Sequence, residues 1–169
     1  MQDEYSKLPK QSTNYIRMTP LQQLTELDWK IRCSESRMPP EYIVRTKYTD
    51  KTANSLTKAI VKWINLNGYQ AERISTSGRW VDNSKVVTDV LGNQKKIGSG
   101  KYIKGSGTKG SADISATIKG RSIKIEVKMK DKQSEAQIEY QKAIERAGGI
   151  YFIAKDFDSF YEFYSTLVK

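Results

Sequence analysis

The sequence predicts an α/β fold: a mixed central β-sheet flanked by helices, with an N-terminal helical arm. Three observations predict it. Residues 109–128, KGSADISATIKGRSIKIEVK, alternate apolar and polar positions as a hairpin does. Amphipathic helical stripes lie before and after that hairpin. A short, continuously apolar run from Ile150 to Ala154 sits between the last two helices, as expected of a strand covered on both faces. The chain divides into an arm or extension over 1–50 and a domain over 51–169.

Within the arm, Thr19-Pro20 followed by LQQLTELDWKI reads as a helix, with Pro in the first turn and Leu21, Leu24, Leu27 and Ile31 near helical spacing. Met38-Pro39-Pro40 ends it, and Glu41 to Tyr48 reads as extended. From Thr52 to Asn67, Leu56, Ile60, Trp63 and Ile64 form one apolar stripe, and Gly68 stands at the C′ position. A strand follows over Tyr69 to Ser75, broken at Ser77-Gly78.

Residues 79–110 are rich in Gly and Lys, with a short β-like piece at Lys85 to Val90. Two phosphate-loop readings fail there. Gly105-Ser-Gly107-Thr-Lys-Gly110 matches GxGxxG in form, yet it opens a strand where a dinucleotide fold needs a helix. Gly100-Lys101 is followed by Tyr102 and has Lys95 where a P-loop needs glycine. What remains is a flexible basic loop whose glycines let backbone amides approach phosphates.

In the hairpin, Ala112, Ile114, Ala116 and Ile118 alternate with Asp113, Ser115 and Thr117. Ile123, Ile125, Val127 and Met129 alternate with Ser122, Lys124, Glu126 and Lys128. A two-residue turn at Lys119-Gly120 sets Ile114 opposite Ile125 and Asp113 opposite Glu126. Like charges facing each other across strands destabilise the pair. Two carboxylates in that register imply a shared cation, with Lys128 beside them. Acceptor-only oxygens suit a hard cation, Mg²⁺ or its substitute Mn²⁺. A solvated strand face of mixed charge is the plainer alternative.

Beyond the hairpin, Ser134 to Ala147 reads as a helix with a stripe of Ala136, Tyr140, Ala143, Ile144 and Ala147. Ser134 and Gln137 are spaced as a capping box, and Gly148-Gly149 closes the helix. The last helix, Asp156 to Val168, carries Phe157, Phe160, Tyr161, Tyr164 and Leu167 on one stripe, with Ser159 and Glu162 at capping-box spacing.

Composition narrows the chemistry. The chain has 169 residues, no histidine and one cysteine, Cys33. Without histidine, Ser-His and Cys-His hydrolases and His-based nucleases are excluded. Carboxylates, lysine and a hard metal remain as hydrolytic tools. The net charge is +10, of which residues 51–110 carry +8 (11 basic, 3 acidic). A concentrated basic segment is the footprint of a nucleic-acid backbone, or else a solvated charged surface. No apolar run approaches the ~20 residues that span a bilayer. The opening residues lack a secretory h-region, so a cytoplasmic setting is expected, the host cytoplasm for a viral chain.

Asp113, followed after a turn by Ile-Glu126-Val-Lys128, resembles the D…E-x-K core of the PD-(D/E)XK nuclease superfamily, and helix, strand, hairpin, helix, strand is that superfamily's order. Gln133-Ser-Glu-Ala-Gln137-Ile-Glu-Tyr140 and Ala147-Gly-Gly-Ile-Tyr151 are similar to its VRR-NUC branch. Arg73 with Ser75 and Gly78 resembles archaeal Holliday-junction resolvases. The resemblance covers about residues 52–168 and implies a restriction-endonuclease-like core and a metal-dependent DNA nuclease. By it, Asp113 and Glu126 ligate Mg²⁺, Lys128 is the catalytic lysine, and Gln137 is the helix glutamine near the site as well as a capping residue. Arg73, Arg79 and Lys109 are candidate phosphate contacts or ordinary surface charges. The family often carries a further acid on its first helix; here none lies between Thr52 and Gly68, where Asn54 and Thr57 stand. The expected partner is DNA, of junction, flap or repair-intermediate form, with no membrane and with a homodimer left open. The competing expectation is a non-catalytic DNA-binding module on the same fold.

Overall fold

The computed structural model describes residues 18–75, 78–103, 105 and 107–169. Residues 1–17 of the arm, and Ser77 of the expected strand break, lie outside the described residues. The core is a four-stranded sheet in the order β1 (Gln70–Arg73), β6 (Ile114–Ile118), β7 (Arg121–Val127) and β8 (Ile150–Ala154). β1–β6 and β6–β7 are antiparallel and β7–β8 is parallel, so the sheet is mixed as expected. The parallel pair is joined through α3 (Glu135–Arg146), because parallel strands need a long crossover.

Pleating gives the sheet two unlike faces. Ile114, Ala116, Ile118, Ile123, Ile125 and Val127 share one face, and all are buried. Against it pack α2 (Ala53–Leu66), through Leu56, Ala59, Ile60, Trp63 and Ile64, and α4 (Phe157–Val168), through Phe157, Phe160, Tyr164 and Leu167. Full burial of each such side chain contributes roughly 1.5–3 kcal/mol. Trp63 binds the two helices together, meeting Phe157, Tyr161 and Tyr164 edge-on at 6.1, 5.3 and 5.9 Å. On the opposite face, α3 packs along β8.

α1 (Pro20–Glu35) starts from Thr19, whose hydroxyl and Gln22 form a reciprocal capping box. It packs on α2 and α4 and places Leu24, fully buried, in the same core. Its Asp28 is buried and ion-paired to Lys62 of α2 at 2.9 Å and to Arg32 at 3.1 Å. Burial pushes the Asp28 carboxyl up, but the two cations outweigh it and hold the carboxyl below its ordinary value. After α1 the chain makes a 3-10 turn, Pro40–Tyr42, where the sequence predicts extended chain.

Four other expectations are corrected. Residues 79–103 are not a loop. They form one long ribbon in which β2 (Arg79–Asp82) pairs with β5 (Gly100–Ile103) and β3 (Lys85–Thr88) with β4 (Gln94–Ile97), apart from the main sheet. At its tip the Asp89 carboxylate accepts from the Leu91 and Asn93 amides, and Gly92 takes φ +84°. Strands exposed on both sides carry no hydrophobic alternation, so the sequence hid them.

β8 is an edge strand, and Ile150 to Ile153 are half-buried rather than covered on both faces. The α3 stripe is also shallower than expected: Ala136, Tyr140 and Ile144 are half-buried, while Ala143 and Ala147 are exposed. Finally, α4 is capped by Asp156, whose carboxylate accepts from the Ser159 amide, and not by a Ser159–Glu162 box.

Among the described residues no helix is long and apolar enough to cross a membrane.

Candidate functional site

The site begins at the hairpin turn. Lys119 and Gly120 both take positive φ, +48° and +74°, as a two-residue turn requires. That turn sets Ile118 opposite Arg121 and Ile114 opposite Ile125, the register read from the sequence. Continuing it by one residue brings Asp113 to Glu126, on the sheet face away from the α2–α4 core.

Asp113 is held by both neighbouring strands. Its Oδ2 accepts from the Val127 amide at 3.0 Å, and its backbone carbonyl accepts from the Ile74 amide at 2.8 Å. Glu126 is more constrained still, at 3 % exposure. Its Oε1 accepts from Gln137 Nε2 at 2.5 Å and faces Lys128 Nζ at 3.4 Å. Its Oε2 is buried with no hydrogen-bond partner among the described residues. Burial pushes the Glu126 carboxyl above its ordinary value, the Asp113 charge adds to the rise, and Lys128 opposes it. A buried carboxylate oxygen without a donor is costly in an apo fold. It is the kind of atom a cation would satisfy.

Gln137 fills both roles expected of it. Its side-chain carbonyl accepts from the Ser134 amide at 2.9 Å, completing the α3 capping box, while its NH₂ reaches Glu126. The start of α3 is thereby fixed to the carboxylate pair. Gly110 brings the strand-leading loop against the same helix turn. It takes φ +79°, and a Cβ there would overlap the Ala136 carbonyl.

The donor set fits a hard divalent cation. Asp113 and Glu126 each keep an oxygen free of hydrogen bonds among the described residues, and water and phosphate oxygens complete the usual Mg²⁺ shell. Among those residues no group of three or more Asp, Glu, His or Cys side chains converges, so the two carboxylates stand as a pair.

No family model and no curated protein matches this chain.

The other expected contacts are dispersed. Arg73 lies opposite Ile114, on the core-facing side of the sheet, where its guanidinium donates to Asn54 of α2 at 2.5 Å. Arg79 is exposed on β2 of the ribbon. Lys109 is exposed and lines a cavity with Glu135, Glu139 and Tyr140. None of the three touches the carboxylate pair.

Two features beside the pair escaped the sequence reading. Lys128, Lys130, Lys132 and Lys155 line an open cavity of about 600 Å³ next to the site, a cationic groove of phosphate-binding character. Lys155 could be placed there only once β8 was known to lie beside β7. The second is Tyr151, which the parallel register sets against Lys124 on the Glu126 face. Its hydroxyl is buried without a partner among the described residues. Burial first, then the nearby Glu126 charge, pushes its ionisation up to about 12.

Proposed function

We propose that this chain is a Mg²⁺-dependent DNA nuclease with a restriction-endonuclease-like core, of the PD-(D/E)XK type, hydrolysing phosphodiester bonds. One observation carries the reading. Glu126 is almost wholly buried beside Asp113, with one carboxylate oxygen left without a donor and a lysine on the other. A charged face built only for solubility has no reason to bury its carboxylate.

Asp113 and Glu126 would hold the cation through their remaining oxygens. When bound, Mg²⁺ supplies positive charge that acidifies the attacking water and neutralises charge on the phosphoryl group. The protein's own groups do the rest. The Val127 amide and Gln137 fix the two carboxylates in their rotamers, so little reorganisation is needed on binding. Lys128 orients the water with its ammonium and offsets the charge that grows on phosphorus as the water attacks. The groove of Lys130, Lys132 and Lys155 steers the polyanion to that position.

A second reading, a DNA-binding module without cleavage, draws on the pair having no third acid among the described residues. One experiment separates them. Purified protein with Mg²⁺ or Mn²⁺ should cut DNA, and EDTA, Asp113→Ala, Glu126→Ala or Lys128→Ala should abolish cutting. Binding that weakens with salt, without cleavage at any metal concentration, would establish the second reading. Cleavage that persists in Asp113→Ala would overturn the site.

A further inference from the structure

The ribbon of residues 79–103 carries two exposed aromatic rings that the catalytic reading does not use. Trp80 on β2 and Tyr102 on β5 are direct cross-strand partners, 66 % and 58 % exposed. Each ring has a glycine beneath it on the facing strand. A Cβ at Gly100 would overlap the Trp80 indole, and a Cβ at Gly78 would overlap the Tyr102 ring. The two rings therefore lean diagonally in opposite directions along the ribbon, each laid against bare backbone. This arrangement leaves two separate ring faces open to solvent and limits the rotamers that either ring can take. Large aromatic surface held outward in this way costs free energy in the isolated molecule.

Charge identifies the occupant. Between Arg79 and Ile103 stand five cations (Arg79, Lys85, Lys95, Lys96 and Lys101) and two acids, Asp82 and Asp89. Asp82 is already paired to Lys96 at 3.2 Å. Aromatic faces among surplus cations match a ligand that is itself planar-faced and polyanionic. Duplex bases are stacked on one another and cannot offer their faces, whereas unpaired bases can.

We propose that the Trp80–Tyr102 face of the ribbon is a stacking platform for the bases of a single-stranded nucleic-acid segment, with the ribbon's cations following its phosphates. The proposal narrows the substrate of the site above to one with an unpaired stretch. It rests on the nucleic-acid part of that reading and not on cleavage.

The test uses the whole protein in EDTA, so that cleavage plays no part. Binding of a labelled oligothymidylate and of a blunt duplex of equal length is followed by fluorescence anisotropy. Trp80→Ala and Tyr102→Ala should each weaken oligothymidylate binding about tenfold, while Trp80→Phe retains most of it and duplex affinity is unchanged. Asp113→Asn should bind as wild type, which separates this platform from the metal site. Equal oligothymidylate affinity in wild type and in both alanine variants overturns the proposal, and so does an equal loss on duplex. Absence of cleavage in Mg²⁺ with the platform behaviour intact would remove the nuclease reading and leave the platform standing.

Discussion

Gln137 donates to Glu126 across 2.5 Å while its own carbonyl accepts from the Ser134 amide at 2.9 Å, so one amide both begins a helix and orients a carboxylate. Gln137→Ala should lower metal-dependent cleavage by about 10- to 100-fold, as loss of a group orienting a metal ligand does. It should also cost about 1 kcal/mol in stability through the opened capping box. Activity assays and thermal melts on the same preparation check both. A stability loss with unchanged cleavage would assign Gln137 to the cap alone.

Glu126 carries a charge the apo fold disfavours. Glu126→Gln should abolish cleavage and raise the melting temperature of the metal-free protein, a trade of function for stability. Calorimetry in EDTA reads the second effect. A lower melting temperature would mean that the Lys128 contact outweighs burial.

The same residue sets a pH dependence. Its carboxyl is raised in the fold above the ordinary 4.5 by burial and by Asp113. The stability tied to its protonated form is therefore full below pH 4.5 and lost as pH rises through the raised folded value. Metal-free wild type should lose stability relative to Glu126→Gln across that window. Asp28 acts in the other direction. Lys62 and Arg32 hold it below 3.8, so its contribution is present above that value and lost as pH falls through the folded one. The two windows do not overlap, and melts of the wild type, Glu126→Gln and Asp28→Asn against pH distinguish them.

Asp28→Asn itself should cost on the order of 1–3 kcal/mol, because the side chain is buried while both cation partners remain partly in water. Cleavage at a temperature where the variant is folded should match wild type, since Asp28 joins α1 to α2 and lies on no element that supplies the carboxylate pair.

Gly110→Ala combines a left-handed φ with an overlap on the Ala136 carbonyl. It should cost roughly 1–3 kcal/mol and loosen the lead-in to Asp113. Denaturant melts and the Mg²⁺ concentration for half-maximal cleavage would report the two consequences.

The sequence by itself determined the hairpin, its register and the meeting of Asp113 with Glu126. Strict alternation and a Lys-Gly turn leave one register in which the apolar face is whole, and a slip of one residue would invert it. The four α-helices were legible for the same local reason, down to the glutamine shared by cap and site. Tertiary structure alone decided the rest. The β2–β5 pairing joins residues more than twenty apart in strands exposed on both faces, so no periodicity announced it, and the Trp80–Tyr102 platform came with it. Only the parallel β7–β8 register brought Tyr151 and Lys155 to the Glu126 side. Burial was equally invisible. E-x-K reads as an exposed charged face until α3 is laid over it, and only then does Glu126 become a carboxylate with an oxygen left unsatisfied.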